Sequence, residues 1–344
     1  MDLVFVIPFR NEERFIEATL DSLLAQDMGE YSAEIWLLNG MSTDRSREIV
    51  EKFTRTGSRG NLSFVLMDNP GVNTPAAFNL GIAQTTAPMI GFGGAHTSYP
   101  SNYLRAAIEL LGSVDADVVG GGHDKIISLD PGVFSQAISC LYLSPMGAGV
   151  AAYHRIKSPD YVDTVYGGFY KREVFNQIGL FNETLLRNQD NELNARVTKA
   201  GLKIYFHPAL STTYIQKTDP ISFLKRAYMF GFFHPATWRA SPSSFRLRHF
   251  VPAMWVLYLA SLIIFFATMP QYRLIVLLPL LIYTVLLGIS SIRFVMDRSF
   301  LVGLVTFPLF AVYHILYGVG TFAGLFDLLI NSRSSRTVKQ RPVG

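Results

Sequence analysis

Asp190 stands in the run Asn188-Gln189-Asp190-Asn191-Glu192-Leu193-Asn194-Ala195-Arg196, at the head of a stretch, 191–199, patterned like a helix. A carboxylate placed there can take a proton from a hydroxyl nucleophile brought within hydrogen-bond reach. It can equally be an acid of a helix's first turn, where the macrodipole favours negative charge. The residue alone does not decide. His96, in Gly94-Ala95-His96, follows directly on the apolar run Met89–Phe92. An imidazole there can ligate a divalent metal, manganese more readily than magnesium, or serve as a structural histidine. Glu12 and Asp44 each read as a polar pocket group, or as a first-turn acid and a simple N-cap. Gly167-Gly168 permits close approach of backbone to a ligand, or marks a plain turn.

These clusters share a placement, since each follows a segment that reads as a strand. Strands are predicted over 3–7, 35–38, 64–67 and 89–92, with 118–119 beginning a fifth. Helical periodicity runs over 12–25 through Phe15, Ile16, Leu20, Leu23 and Leu24. Ser42-Thr43-Asp44 can cap a helix through Ile49, Val50 and Phe53, and further helices are predicted over 75–84 and 103–111. Alternating strands and helices imply an α/β fold, a mainly parallel sheet with helices on both faces. Ligands in such folds bind at the carboxyl ends of the strands, where the polar clusters stand.

The rest of the chain has another character. Of 344 residues, 49% are hydrophobic and 16% charged, against about 25% charged in ordinary soluble domains. The deficit is concentrated in 250–330. Three spans there, 250–269, 274–292 and 300–326, approach the roughly 20 residues a membrane helix needs. The third contains Pro308, His314, Gly318, Gly320 and Gly324 and is expected to kink or turn back. Ahead of them, 221–249 mixes Lys225, Arg226 and Arg239 with Phe223, Tyr228, Phe230, Phe232, Phe233 and Trp238, as an amphipathic interfacial segment would. A basic tail occupies 331–344. The domains expected are thus 1–220, 221–249, 250–330 and the tail.

The net charge is +4 and the isoelectric point near 9.0. The basic residues gather around the apolar spans and form no run in the first 200 positions, so a membrane surface is expected and nucleic acid is not. Cys140 stands alone, which excludes an intramolecular disulfide and a cysteine metal cluster and suits a reducing compartment. Residues 1–13 lack the pattern of a signal peptide, so the first domain is expected on the cytoplasmic side of a multi-pass cell-membrane protein. Three spans would then put Arg333, Arg336, Lys339 and Arg341 outside, against the positive-inside rule, unless the third segment turns back.

Several ordered motifs together carry a family resemblance over about residues 3–240. Val6-Ile7-Pro8-Phe9-Arg10-Asn11-Glu12-Glu13 with Leu20-Asp21-Ser22-Leu23-Leu24-Ala25-Gln26 resembles the opening of the family 2 glycosyltransferases. Asn39-Gly40-Met41-Ser42-Thr43-Asp44 resembles that family's D-G-x-S-x-D turn. Asn69-Pro70, Pro75-Ala76-Ala77, Asn79 and Gly81 resemble the next segment. Val162–Phe169, Arg172-Glu173-Val174-Phe175 and 188–196 complete the pattern, and the last of these narrows the resemblance to the branch like the succinoglycan-biosynthesis transferase ExoA.

The resemblance implies a GT-A fold, a uridine-diphosphate sugar donor, a divalent metal (Mn2+ or Mg2+) and inversion at the anomeric carbon. It implies Asp190 as catalytic base and His96 as metal ligand. Pro8, Arg10, Glu12, Asn39, Asp44, Asn79, Gly94 and Ala95 would bind the nucleotide sugar, and Gly167, Gly168, Gln189 and Arg196 would form the acceptor and sugar pocket. Three positions depart from the pattern: Asn39 and Gly94 replace aspartates and Gln189 replaces a glutamate. Restoring the acids is expected to strengthen nucleotide binding. The function expected is transfer of a sugar to a lipid-linked oligosaccharide acceptor in polysaccharide biosynthesis. The alternative is a catalytically impaired relative acting as scaffold or regulator of a polysaccharide-assembly complex, with other assembly proteins as partners. A transporter is disfavoured because the spans carry few ionisable groups beyond His314. A processive polymerase is disfavoured because 223–233 lacks Q-x-x-R-W.

Overall fold

Strand β1 (Leu3–Phe9) is apolar throughout and buried at every position but Pro8 because both of its faces are covered. Leu3, Phe5 and Ile7 point into one core and Val4 and Val6 into another. The computed structural model describes residues 1–129, 132–147, 158–185, 187–216, 219–240 and 247–331. The chain divides into two units, residues 1–129 with 149–216, and residues 130–148 with 217–344.

In the first unit, β1 lies in an eight-stranded sheet with β2 (Ala33–Asn39), β3 (Leu62–Asp68), β4 (Met89–Phe92), β6 (Val118–Gly121), β8 (Asp160–Val162), β9 (Tyr166–Lys171) and β10 (Ile204–Phe206). The order is β3-β2-β1-β4-β9-β6-β10-β8. The first four strands are mutually parallel, while β9 runs antiparallel between β4 and β6 and β8 antiparallel on the edge. A three-stranded sheet joins β5 (Thr97–Ser98), β11 (Thr212–Ile215) and β7 (His123–Ile127). On one face, α1 (Ile16–Leu24) and α4 (Tyr103–Ser113) contribute Ile16, Leu20, Tyr103 and Leu104 to the first core. On the other, α3 (Thr74–Gln84), α6 (Arg172–Ile178) and α7 (Gln189–Lys199) contribute Ala77, Phe78, Phe175, Leu193 and Val197. Helix α2 (Ser46–Thr56) packs along β3 and α1.

The expected strands are present: β4 has the expected bounds, and β1, β2, β3 and β6 extend one or two residues further at one or both ends. Helix α1 begins at Ile16 and not at 12 for a local reason. Asn11 is left-handed at φ 55°, and the Glu12 and Glu13 N–H groups donate to Ser46 Oγ (2.7 Å) and Asp44 Oδ2 (3.2 Å). The chain from Asn11 to Glu13 is thereby tied to the turn before α2.

The second unit is helical where it is described. Helix α5 (Val133–Leu143) and α8 (Pro220–Ala240) pack on α11 (Phe300–Asn331), as do α9 (Val251–Thr268) and α10 (Arg273–Asp297). The segment expected at a membrane surface is largely α8, with Phe223, Ala227 and Thr237 buried and Ile221, Leu224 and Trp238 exposed. A Cβ on Gly231 would strike the Tyr317 carbonyl, and one on Gly320 the Tyr228 carbonyl, so glycine lets α8 and α11 meet backbone to backbone. The third apolar segment, expected to kink or turn back, is one helix running through Pro308. Helices α9, α10 and α11 are long and apolar enough to cross a membrane. The basic tail and Arg246 lie outside the described residues.

Candidate active site

Chain order reverses between β1 and β4, and the loops leaving their carboxyl ends part to leave a crevice, as in other open α/β sheets. The cavity there has a volume of about 320 Å³, at the lower end of the roughly 300–1,000 Å³ usual for ligand sites. Pro8, Phe9, Arg10 and Glu12 enter from β1, Gly40 from β2, Asn69, Val72 and Thr74 from the β3–α3 loop, and residues 93–96 from β4. Val165, Tyr166, Gly167, Gly168 and Tyr170 enter from β9, and Gln189 and Asp190 from α7. Phe78, Phe92 and Phe181 form an apolar wall, with ring centroids 4.5 Å and 5.1 Å apart around Phe92.

Asp190 lies in the first turn of α7, after Asn188 at φ 59°. Three side-chain bonds moor this helix. Tyr170 Oη donates to Asn194 Oδ1 (2.7 Å), Asn194 Nδ2 to Thr164 Oγ1 (3.0 Å) and Thr164 Oγ1 to Asn191 Oδ1 (3.0 Å). The carboxylate is caught between opposing effects. Burial lifts its pKa above the ordinary value, and backbone N–H donation from Asn191 and from Asp190 itself offsets this only in part. A raised carboxylate on a cavity wall is what a general base working near neutrality requires.

His96 Nδ1 is buried with no hydrogen-bond partner and faces Glu12 Oε2 at 3.5 Å. Among the described residues, no group of three His, Cys, Asp or Glu side chains gathers as a metal cage. A buried nitrogen beside a carboxylate oxygen is nonetheless a donor pair that fits a divalent ion needing further oxygens from a ligand. Gly167 is left-handed at φ +59°, and a Cβ there would come 2.8 Å from Tyr103 Oη; its place requires glycine.

Thus the cavity gathers Pro8, Arg10, Glu12, Gly94, Ala95, His96, Gly167, Gly168, Gln189 and Asp190. Four other candidates are not among its lining residues. Asn39 is buried at the end of β2, where its amide donates to Asp68 Oδ1 (3.2 Å) and accepts from the Ser42 N–H (2.9 Å). An aspartate at 39 would set its carboxylate against that of Asp68, so restoring the acid there costs stability. Asp44 is a loop fastener: burial opposes its charge, but donation from Ser46 and from the Glu13 N–H outweighs this and holds its pKa below the ordinary value. Asn79 clamps the 181–183 segment, accepting from the Phe181 N–H (2.9 Å) and donating to Phe181 O (3.0 Å) and Glu183 Oε1 (2.8 Å). Arg196 spends its guanidinium on Glu192 and on the Ile178 and Leu180 carbonyls. Tyr166 and Tyr170, which line the cavity, were legible only as letters beside the glycine pair.

Comparison with known proteins agrees with this architecture. The family model described as glycosyl transferase family 2 matches residues 4–179. The chain is 24% identical over 232 residues to the dolichyl N-acetyl-α-D-glucosaminyl phosphate 3-β-D-2,3-diacetamido-2,3-dideoxy-β-D-glucuronosyltransferase of Methanococcus voltae, covering 66% of this chain and 70% of that protein. It is 24% identical over 239 residues to the succinoglycan biosynthesis protein ExoA of Rhizobium meliloti, covering 66% and 67%. The mannosyltransferase PcManGT from Pyrobaculum calidifontis, solved with GDP-Man and Mn2+, superposes with a TM-score of 0.54 at 14% identity, covering 93% of this chain and 86% of that one. With the mixed sheet and flanking helices, this is the GT-A fold. The chain belongs to glycosyl transferase family 2.

Proposed function

We propose that this glycosyltransferase moves a sugar from a uridine-diphosphate donor to a lipid-linked oligosaccharide, inverting the anomeric centre, at the cytoplasmic side of a cell membrane that α9, α10 and α11 cross. The single observation that carries the reading is Asp190, a raised-pKa carboxylate on the wall of a cavity at the carboxyl ends of β1 and β4. In the proposed step an acceptor hydroxyl oxygen bonds to the anomeric carbon as the carbon–phosphate-oxygen bond breaks. The hydroxyl proton passes to Asp190, and the nucleoside diphosphate leaves with the electron pair. Arg10 at the cavity mouth supplies a positive charge toward the anionic donor. A divalent metal held by His96 and Glu12, completed by diphosphate oxygens, would stabilise charge on the leaving group.

The Methanococcus relative, named for a dolichyl phosphate-linked sugar acceptor, supports a lipid-carried acceptor here. Arg293 and Arg298 near the α10–α11 turn, against Arg273 at the α9–α10 turn, support the proposed orientation, while Arg333, Arg336, Lys339 and Arg341 beyond α11 count against it. A cavity that keeps Asp190 favours an active enzyme over a scaffold. The test is transfer by the detergent-purified chain, supplied with Mn2+, UDP-sugars and polyprenyl-diphosphate acceptors, read as UDP release. Asp190→Asn is expected to lower turnover by about 10²–10⁴-fold, the usual worth of a general base. No turnover by the wild type with any donor, or equal turnover by the variant, would sink the reading.

A further inference from the structure

Gly94 stands where the resemblance leads one to expect an aspartate, and the structure shows what occupies that space. A Cβ on Gly94 would lie 3.0 Å from Tyr166 Oη and 3.3 Å from Thr97 Oγ1, tighter than ordinary van der Waals contact. These two hydroxyls are 3.2 Å apart and bonded to each other. Both are firmly placed. The Thr97 N–H donates to Thr19 Oγ1 (3.2 Å), and the Tyr166 ring packs on His123 with centroids 3.9 Å apart. The Gly94 backbone is fixed by Tyr99, whose Oη accepts the Gly94 N–H (2.8 Å) and donates to its carbonyl (3.1 Å). Gly94 and Tyr166 both line the cavity with Asp190.

Resting on the nucleotide-donor reading above, we infer that the Tyr166–Thr97 hydroxyl pair takes the place of the missing carboxylate and holds the donor at this corner by neutral hydrogen bonds. The chemistry differs in two ways. A carboxylate only accepts, whereas a hydroxyl pair both accepts from a ribose hydroxyl and donates to a phosphate oxygen. A carboxylate beside a diphosphate also repels it unless a cation lies between, and a neutral pair does not. The phenol stays neutral because burial pushes its pKa up, with the Asp190 charge adding to the effect. Metal is then needed for turnover, where charge develops, and not for holding the nucleotide.

Titration of the full-length protein with UDP, with Mn2+ and with chelator in its place, tests this. Wild type is expected to bind in both conditions with dissociation constants within about threefold. Tyr166→Phe should weaken binding about three- to tenfold in both, the usual worth of one neutral hydrogen bond. The double variant Gly94→Asp with Tyr166→Phe should bind with Mn2+ and lose UDP on chelation. If Tyr166→Phe does not yield folded protein, Thr97→Val removes the pair from its other side and is read in the same way. Unchanged affinity in the single variant overturns the inference, as does wild-type binding that vanishes on chelation. Wild type that binds UDP in neither condition removes the nucleotide-site reading itself, and the inference with it.

Discussion

At the residue scale, the base role proposed for Asp190 and its burial make different demands on one carboxylate. Burial raises its pKa in the folded chain, so the folded state holds the proton more tightly than the unfolded state does. For such a group the contribution to stability falls as pH rises through the interval from the ordinary carboxylate value to the raised one. At neutral pH the charged carboxylate is therefore a burden. Asp190→Asn is expected to melt at or above the wild-type temperature near pH 7 while losing transfer. The acid limb of the wild-type kcat profile should lie above the ordinary carboxylate pKa, since the base works only when deprotonated. Melting by circular dichroism and a pH–rate profile check both; a variant that melts lower, or an acid limb at the ordinary value, contradicts the assignment. The place of Asp190 on the cavity wall was legible because it ends an ordered series of motifs. That Asn39, Asp44, Asn79 and Arg196 stand outside the cavity lining was not, because a motif records letters from the cavity and from its scaffolding alike. Whether an amide faces a ligand or, like Asn79, a backbone loop depends on partners 102 residues away.

At the element scale, the loops after β1 and β2 form one knitted structure. Asn11 Oδ1 accepts from the Thr43 N–H (2.8 Å), the Asn11 N–H donates to Ser42 Oγ (3.2 Å) and the Arg45 N–H donates to Glu13 Oε2 (3.1 Å). Asn11, Met41, Val72 and Asn188 all have left-handed φ, and each lies in a loop at the cavity or directly beside one of its lining residues. Non-glycine residues held this way, a β-branched valine above all, are costly and cluster at binding sites. Asn11→Ala removes the Thr43 bond and a residue type that tolerates this backbone. The expected loss is about 1–2 kcal/mol of stability, with weaker UDP binding because Arg10 and Glu12 lose their frame. Chemical denaturation and the same UDP titration measure the two effects, and unchanged values for both would show the loops to be held otherwise. Strands β1 to β4 and β6 and helices α1 to α4 were legible from periodicity, whereas β5, β7 to β11, α5 and α6 were not. The left-handed loops were not, because Met41 and Val72 are residue types that argue against such a backbone.

At the scale of the whole molecule, charge density alone separated a polar first part from an apolar last part. It did not show that Val133–Leu143 belongs with the C-terminal helices, because at 11 residues it is too short to read as a span. Nor did it show what His314 does. Its ring is bonded to Tyr283 Oη (2.9 Å) and the Met146 carbonyl (2.7 Å), a tie between α10, α11 and the turn after α5. The exposed large apolar side chains concentrate on α9, α10 and α11, with Leu274 87% exposed and Ile263 77%. Surfaces of this kind are covered by lipid or by other protein. Two modes of membrane attachment then make different predictions. Spanning helices hold by apolar burial, which salt does not screen, whereas basic segments on a membrane surface hold by charge and release when the Debye length shortens. The full chain is expected to stay with the membrane fraction through high salt and through alkaline carbonate, and to leave only with detergent. Release by high salt would assign the attachment to the basic residues around α8 and deny that the three helices cross the bilayer. Release by carbonate alone would place the apolar helices at the interface, where alkaline washing strips them.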